Sequence, residues 1–277
     1  MPSRPGLLDR VEQYAAAAPL PDARLVAAGP LEVPIGSPAW PYPARPRPGT
    51  RTVSADDVRA AVALQEDAGL PAAVEWVGER TPSLGAAARA AGLAVTEFPL
   101  LVVDDPVDLL LPAGVRLYLV GGEDPQLPHY QHLLESAFAS PAEDAPAEDA
   151  PAGGGTADGG TPAEDARTAV LRERVLTGRT VLMVAIEDGR PVAVGSHHPV
   201  DVGDCEVSEV VGVASSPRRR GRGVGAALAS ALVAQARETA DLVFLTAGDD
   251  DVARVYERVG FAQVGTTGVA DRLPPLR

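Results

Sequence analysis

A run of arginines and glycines is the stretch whose residue types best suit the binding of an anion. It reads Arg218-Arg-Arg-Gly-Arg-Gly-Val-Gly225 and lies between a β-branched stretch at 207–215 and an alanine-rich stretch at 226–240. Glycines let consecutive backbone N–H groups converge where a helix begins, and the positive end of a helix attracts anions. Arginines add charge and forked donors that suit phosphate oxygens. The run therefore predicts an anion-binding turn between a strand and a helix.

The arginine-glycine run fits neither of two common nucleotide-binding motifs well. A P-loop requires Gly-Lys-Ser/Thr, whereas all 24 basic residues of this chain are arginine. A dinucleotide site requires Gly-x-Gly-x-x-Gly with an acidic residue about twenty positions later, and the run does not have this spacing. A site for another phosphorylated metabolite stays compatible with the turn taken alone.

Two linked motifs resemble one known family. Arg220-Gly-Arg-Gly-Val-Gly225, preceded by an apolar strand, is similar to the Arg/Gln-x-x-Gly-x-Gly/Ala signature of the GNAT superfamily of acyl-CoA-dependent N-acyltransferases. Downstream, residues 242–248 resemble the next strand of that family, and residues 249–261 resemble its Asn-x-x-Ala-x-x-Leu-Tyr-x-x-x-Gly-Phe helix. The resemblance covers roughly residues 113–270, with its detailed motifs near the C-terminal end.

The resemblance implies that acetyl-CoA is a co-substrate and that a defined set of residues holds it. The amides of residues 221–226 would bind the pyrophosphate, and the strand near Val211 and Val213 would pair with the pantetheine arm, with Gly212 allowing a local splay. Asp249 stands where the family has asparagine, and a carboxylate is less comfortable near phosphates. The implied cofactor-binding set is Val211, Val213, Arg219, Arg220, Gly221, Arg222, Gly223, Val224, Gly225, Ala226 and Asp249.

Two further residues are candidates for proton transfer. The resemblance places Tyr256 near the thioester sulfur, where it would protonate the departing thiolate, and Glu209 is a candidate for deprotonating the amine directly or through water. The residues alone also allow Tyr256 to be a core aromatic and Glu209 to lie on a solvent face. The implied activity is transfer of an acetyl group from acetyl-CoA directly to an amine. The alternative is a non-catalytic acyl-CoA-binding regulatory or scaffold protein, which needs the turn but neither proton-transfer residue.

Composition limits the partners and the location. The chain has 277 residues, is 45% hydrophobic and carries a formal net charge of -14, which argues against general nucleic-acid binding. The long-range field of this charge favours a cationic amine, either a small molecule or a protein. A single cysteine, Cys205, indicates a reducing compartment, and no segment is apolar enough for a signal peptide or membrane span. We expect a cytoplasmic protein that binds no membrane.

The elements that position these residues indicate an α/β fold with a mixed sheet, in two parts. Residues 113–277 form the GNAT-like domain, with a low-complexity acidic insertion at 140–165 that is expected to be disordered. Residues 1–112 form an α/β subdomain whose strand-helix-strand order repeats that of the C-terminal part after a shift of 168 positions, which suggests a degenerate half-repeat. Only one strand fits after Phe261, so we expect the N-terminal part to complete the sheet, through residues 98–103.

Other local patterns complete the expectations. Ser54 starts a helix that runs to about Asp67, residues 30–50 are an irregular proline-rich connection, and Asp188-Gly189 is the turn of a hairpin. His197 and His198 point to opposite faces of that hairpin's second strand, so at most one faces a cleft, where it could act as a backup base. His129 and His132 have a spacing compatible with a metal, but no acidic partner or cysteine stands nearby, and we expect no metal site.

Overall fold

The computed structural model of the protein describes residues 4–139 and 165–272. The helices are α1 (Arg4–Ala17), α2 (Ala55–Asp67), α3 (Leu84–Ala90), α4 (Leu127–Ala139), α5 (Ala166–Leu176), α6 (Val224–Ala236) and α7 (Asp250–Glu257). The strands are β1 (Ala23–Ala28), β2 (Leu31–Gly36), β3 (Arg45–Pro46), β4 (Ala73–Val77), β5 (Ala94–Val103), β6 (Val115–Val120), β7 (Val181–Glu187), β8 (Arg190–Val202), β9 (Cys205–Ser215), β10 (Leu242–Thr246) and β11 (Phe261–Asp271). The insertion expected at 140–165 lies outside the described residues except for Asp165, which caps α5 by accepting from the Thr168 amide.

One mixed sheet of eight strands organises the chain, in the order β4-β11-β5-β10-β9-β8-β7-β6. The β9–β10 pair is parallel, and the other pairs of this sheet are antiparallel. Strand β5 lies between β10 and β11, and β4 pairs with the outer side of β11. The expected contribution of residues 98–103 to the sheet is therefore observed, and it brings residues of both predicted parts into one sheet.

The neighbouring strands β4, β11, β5 and β10 of this sheet follow a two-fold pattern. The units β4-α3-β5 and β10-α7-β11 have the same element order, and β4 pairs with β11 in the way that β10 pairs with β5. Strands β5 and β11 meet between them in an antiparallel ladder. Two similar units that exchange their second strands would give this pairing, so the arrangement supports the half-repeat, which stays a prediction.

The prediction that residues 30–50 are irregular is wrong in part. Strands β1, β2 and β3 form a small antiparallel sheet, in which Leu31 and Val33 are fully buried beneath α2. The prolines are tolerated because β3 pairs only with Leu31 and Glu32, so that Pro34 has a strand on one side only. Tertiary burial of the alternate apolar residues decided the structure here.

Helices cover both faces of the large sheet. Helices α6 and α7 pack on one face, where Leu228, Leu232 and Val259 are fully buried in the largest core cluster. Helix α1 packs on the opposite face with Tyr14 edge-on to Phe244, and α4 and α5 cover the same face nearer to β6. Within the described ranges, no helix is long and apolar enough to cross a membrane.

Candidate functional site

The arginine-glycine run forms a turn whose glycines are conformationally required. Strand β9 ends at Ser215, a short 3-10 turn covers Pro217–Arg219, and Gly221 and Gly223 have φ of +73° and +78° before α6 begins at Val224. These left-handed φ values favour glycine, and a Cβ at either position would meet no atom within 4 Å. The first amides of α6 have no acceptor within the helix itself, and Val224, Gly225 and Ala226, which carry them, line the open space beside the turn. The turn therefore offers backbone donors and room for an anion.

Gly225 is needed for a different reason, the close approach of α6 to β9. A Cβ on Gly225 would lie 2.9 Å from the Ser215 hydroxyl oxygen. A side chain there would require the Ser215 hydroxyl to rotate or the first turn of the helix to shift. The absence of one keeps the amide cluster next to the strand edge.

A cavity runs from this turn toward α7. Most of the predicted cofactor-binding residues line it, and its other side is formed by Val252, Val255 and Tyr256 of α7. Arg222 instead faces a neighbouring cavity beside Glu187, and Asp249 caps α7 by accepting from the Val252 amide at 2.7 Å. The predicted residues on the cavity wall are Val213, Arg219, Arg220, Gly221, Gly223, Val224, Gly225, Ala226 and Tyr256.

The sheet opens beside this cavity. The ladder of β9 with β10 ends at the pair Glu209 and Phe244, whereas β9 continues along β8 to Ser215. The β8–β9 register shifts between Val194 and Ser196, and opposite this shift Gly212 has a φ of +65°. This irregularity bends β9 away from β10. The free edge of β9 can pair with an extended arm, as expected for the stretch from Val211 to Val213.

Tyr256 lies on the α6–α7 face of the sheet. Its ring packs edge-on against Phe261 with 5.8 Å between the ring centroids. Burial raises the pKa of its hydroxyl to about 12, so that the group keeps its proton at neutral pH. The protonated hydroxyl belongs to a residue that lines the cavity, and the ring of the same residue contacts the core, so both interpretations of Tyr256 stay open.

Glu209 lies on the other face of the sheet, beneath α1. Burial raises the pKa of its carboxyl to about 7, with a further increase from the Glu75 carboxylate, while Arg45 and a hydrogen bond with Tyr14 lower it. Arg45 also forms an ion pair with Glu75 at 3.0 Å. Glu209 is not on a solvent face, and a carboxyl group with this pKa can accept a proton near neutral pH.

The two histidines of β8 lie on opposite faces, as predicted. His197 is buried between Ser208, whose hydroxyl oxygen lies 2.7 Å from Nδ1, and Gln235 of α6. His198 lies across from Glu209 and next to Trp40, and burial together with Arg174 and His197 lowers its pKa to about 3. His198 borders a cavity, and its low pKa makes it a weaker base than Glu209.

The comparisons with known proteins agree with this geometry. Residues 149–261 match the acetyltransferase (GNAT) family. The GCN5-related N-acetyltransferase from Kribbella flavida has a TM-score of 0.71 and 23% identity, with 98% of this chain and 97% of that chain covered. The chain has the GNAT fold. A putative GNAT acetyltransferase from Novosphingobium aromaticivorans has a TM-score of 0.57 and 17% identity, with 98% of this chain and 99% of the other covered.

A third similar structure widens the comparison without naming an activity. It is a conserved protein of unknown function from Staphylococcus epidermidis, with a TM-score of 0.55 and 12% identity over 91% of this chain and 95% of that chain. No curated protein sequence matches this chain. The resemblance to the GNAT superfamily and the α/β mixed-sheet fold are thus confirmed.

Sequence reasoning missed the N-terminal residues near the GNAT strand β9. Tyr14, Arg45 and Glu75 come from α1, β3 and β4, and each influences the Glu209 carboxyl group. None belongs to a motif, because these positions matter only once the chain folds over the sheet. Other candidates lie elsewhere: His129 and His132 are exposed on α4, and among the described residues no group of three or more His, Cys, Asp and Glu is placed to hold a metal.

Proposed function

We propose that this protein is an N-acetyltransferase that moves an acetyl group from acetyl-CoA to an amine. The observation that carries this proposal is the opening between β9 and β10, with Tyr256 near one face and Glu209 on the other. An acyl group held in that opening would be accessible to a proton donor and to a base from opposite sides. A binding module would need the opening but has no use for two groups with these proton affinities.

The residues present fit coenzyme A. The open space at Gly221 and Gly223 and the first amides of α6 would hold the pyrophosphate, and Arg220 borders the same space. Arg219 also lines it, although its guanidinium is paired with Glu187 at 2.5 Å. The free edge of β9 from Val211 onward would pair with the amide groups of the pantetheine arm. We do not extend the proposal to Asp249, whose carboxylate already caps α7.

The chain's own residues supply the proton transfers. The bound thioester supplies the acetyl group, and the amine nitrogen forms a bond to the acetyl carbon as the carbon–sulfur bond breaks. Glu209 accepts the proton that the attacking amine loses, directly or through water. Tyr256 donates its proton to the departing thiolate. This protonation prevents the thiolate from reversing the reaction. Positioning by the strand edge and the turn lowers the entropic cost of this encounter.

Thermal melting of the full-length protein with and without acetyl-CoA is the first experiment. A ligand that binds only the native state stabilises it by about 2.7 kcal/mol at a hundredfold excess over its Kd, so the melting temperature rises. The Gly223→Glu variant puts a carboxylate into the anion site and should lose the rise, and its melting temperature without ligand controls for folding. Thiol release on addition of amines then tests transfer. No rise at millimolar acetyl-CoA contradicts the proposal, and a rise without thiol release for any amine favours a binding module.

A further inference from the structure

A second cavity lies on the α1 side of the sheet, between the two halves of the chain. Trp40 and Pro41 of the N-terminal half form one wall, and Leu134 of α4 and Leu171 of α5 form another. Its floor is the β8–β9 ladder, at Ser196, His198, Val211 and Gly212. The cavity is therefore mostly apolar, and residues from outside the matched family region, among them Trp40, Pro41 and Leu134, complete it.

The cavity reaches the place where the sheet opens. Gly212 is the residue of irregular backbone on β9, and a Cβ there would lie 3.0 Å from the Leu134 side chain. His198 is directly across the ladder from Glu209. A molecule seated between Trp40 and Leu134 would thus present one end to the opening of the sheet and to the Glu209 side of β9.

A void beside Glu209 itself is too small to be the acceptor site. It lies between Glu209, Glu75 and Tyr14 and measures about 30 Å³, which is room for a water molecule or two. The cavity at Trp40 measures about 350 Å³, at the lower end of the range for small-molecule sites. This size suits an amine with a single ring or a short alkyl chain, and it is small for an oligosaccharide or a folded peptide.

The charges around the cavity disfavour a polycation. Among the described residues that line it, none is a carboxylate, and Arg167 is at its edge. The guanidinium of Arg174 lies 4.7 Å from the centre of the Trp40 ring, behind that wall. A second ammonium group on the acceptor would find no carboxylate among the described residues that line the cavity. The described lining therefore lacks the negative charge that the net charge of -14 suggests for a cationic acceptor.

Trp40 is held in place by a network that joins the two halves. Arg174 is buried and binds both Asp22 and the Tyr42 hydroxyl, the latter at 2.9 Å. The Tyr42 hydroxyl donates to Asp22 at 2.7 Å. The segment that carries Trp40 is therefore anchored to α5 from both sides. A rigid aromatic wall can discriminate between ligands at low entropic cost.

We propose that this cavity binds the apolar body of the amine acceptor, and that the acceptor class is a small monoamine with an aromatic or alkyl body. This proposal rests on the proposed acetyl transfer, because only that reaction makes the bound amine an acceptor. Binding of the amine can nevertheless be measured without turnover. Trp40 and Leu134 are its specificity-determining residues. Arg174 is a positioning residue that acts through Trp40.

The chain provides its own probe for the test, because it has two tryptophans, Trp40 and Trp76. Trp76 is buried in the core of the N-terminal half, so Trp76→Phe leaves Trp40 as the single emitter. We would titrate this full-length variant with 2-phenylethylamine and with spermidine in the presence of coenzyme A, which carries no acetyl group, so that no transfer can occur during the measurement. We expect a saturable change in Trp40 emission with 2-phenylethylamine at concentrations at least tenfold below any change with spermidine. Equal or tighter binding of spermidine overturns the proposal, as does the absence of a change with both amines.

Cavity filling gives the second arm. Leu134→Trp should raise the KM for 2-phenylethylamine at least tenfold. The increase in melting temperature with acetyl-CoA should be kept. The matched control is Leu119→Trp, at an exposed position of β6. An unchanged KM in Leu134→Trp contradicts the assignment of the cavity. The two proposals fail in different ways. Amine binding without thiol release would contradict the transfer reaction but not the proposed ligand class. Thiol release with spermidine and not with 2-phenylethylamine would contradict the ligand class but not the reaction.

Discussion

Glu209 of β9 and His198 of β8 are directly opposed in the sheet, yet their proton affinities are shifted in opposite directions. Burial disfavours the charged form of each group, so it raises the pKa of the carboxyl to about 7 and lowers that of the imidazole to about 3. Of the two groups, only Glu209 changes protonation near neutral pH. His198 is a neutral neighbour there, which makes Glu209 the group to test as a base.

Tyr256→Phe should lower kcat and leave the binding of acetyl-CoA nearly unchanged. The substitution removes the hydroxyl that we propose protonates the thiolate and keeps the ring that packs on Phe261. Loss of a general acid typically costs about 10² to 10⁴-fold in rate. Steady-state thiol release and the melting rise with acetyl-CoA measure the two quantities. An unchanged kcat would remove Tyr256 from the mechanism.

The pH dependence of kcat/KM should report Glu209. A base must be deprotonated to act, so kcat/KM should rise with pH through about 7 and then level off. Glu209→Gln should lose this limb and a large part of the rate. Both proteins are assayed with the same amine, so that the ionisation of the amine is common to the two profiles. The same limb in Glu209→Gln would assign it to another group.

Glu209 should also make the protein less stable as pH rises. Its pKa is about 7 in the native state and near 4.5 when unfolded, so between these values the native state holds a proton that the unfolded state has released. Stability therefore falls from about pH 4.5 to 7 and the effect is constant above that range. The contribution is at most roughly 3.5 kcal/mol, since one pKa unit corresponds to about 1.4 kcal/mol.

Urea unfolding at pH 4.5 and pH 8 measures this effect. The free energy of unfolding of Glu209→Gln should exceed that of the wild type by more at pH 8 than at pH 4.5. The control is Glu97→Gln, an exposed carboxylate on β5, for which no such difference is expected. Parallel pH dependence in Glu209→Gln and the wild type would contradict the burial of a titrating carboxyl at this position.

Local sequence signals predicted the elements that local chemistry determines. Ser54 caps α2 in a capping box with Asp57, the helix ends at Asp67, and Asp188 and Gly189 both have positive φ in the β7–β8 turn. The motifs around Gly223 and Tyr256 also placed most of the proposed cofactor cavity, because its lining comes from two consecutive segments of the chain.

The residues around Glu209 could not be predicted in the same way. Tyr14 and Trp40 come close to β8 and β9 only through contacts between residues far apart in the chain, such as the Tyr14 hydroxyl on the His198 carbonyl oxygen at 3.3 Å. Strands β1 and β2 were missed because proline-rich composition outweighed a short alternation of apolar residues. Such features depend on what covers a segment, and a single sequence does not contain that information in its local pattern.

The contact of α6 with β9 can be tested by a pair of substitutions. Gly225→Ala places a methyl group against the Ser215 hydroxyl, so this hydroxyl must rotate or the first turn of α6 must shift, and we expect the affinity for acetyl-CoA to fall by up to several-fold. Ser215→Ala removes that hydroxyl and should restore part of the affinity in the double variant. Contacting residues typically show interaction energies of about 0.5 to 3 kcal/mol in such a cycle. Additive effects on the Kd would mean that the contact does not set the position of the amides.

The fragment 113–277 should fail to fold alone, although it contains both sequence motifs. Strand β11 pairs with β4 and β5, and β10 pairs with β9 and β5, so removal of the N-terminal part leaves β11 without a ladder partner among the described strands. It also uncovers Phe244 and Glu209 by removing α1. We expect an insoluble fragment without a cooperative melting transition, and co-expression with residues 1–112 should restore solubility because the missing strands are then supplied in trans. A soluble fragment that melts cooperatively and gains stability from acetyl-CoA would show that the N-terminal half is dispensable for the fold, and the sheet would then have to close by pairing β10 with β11 directly.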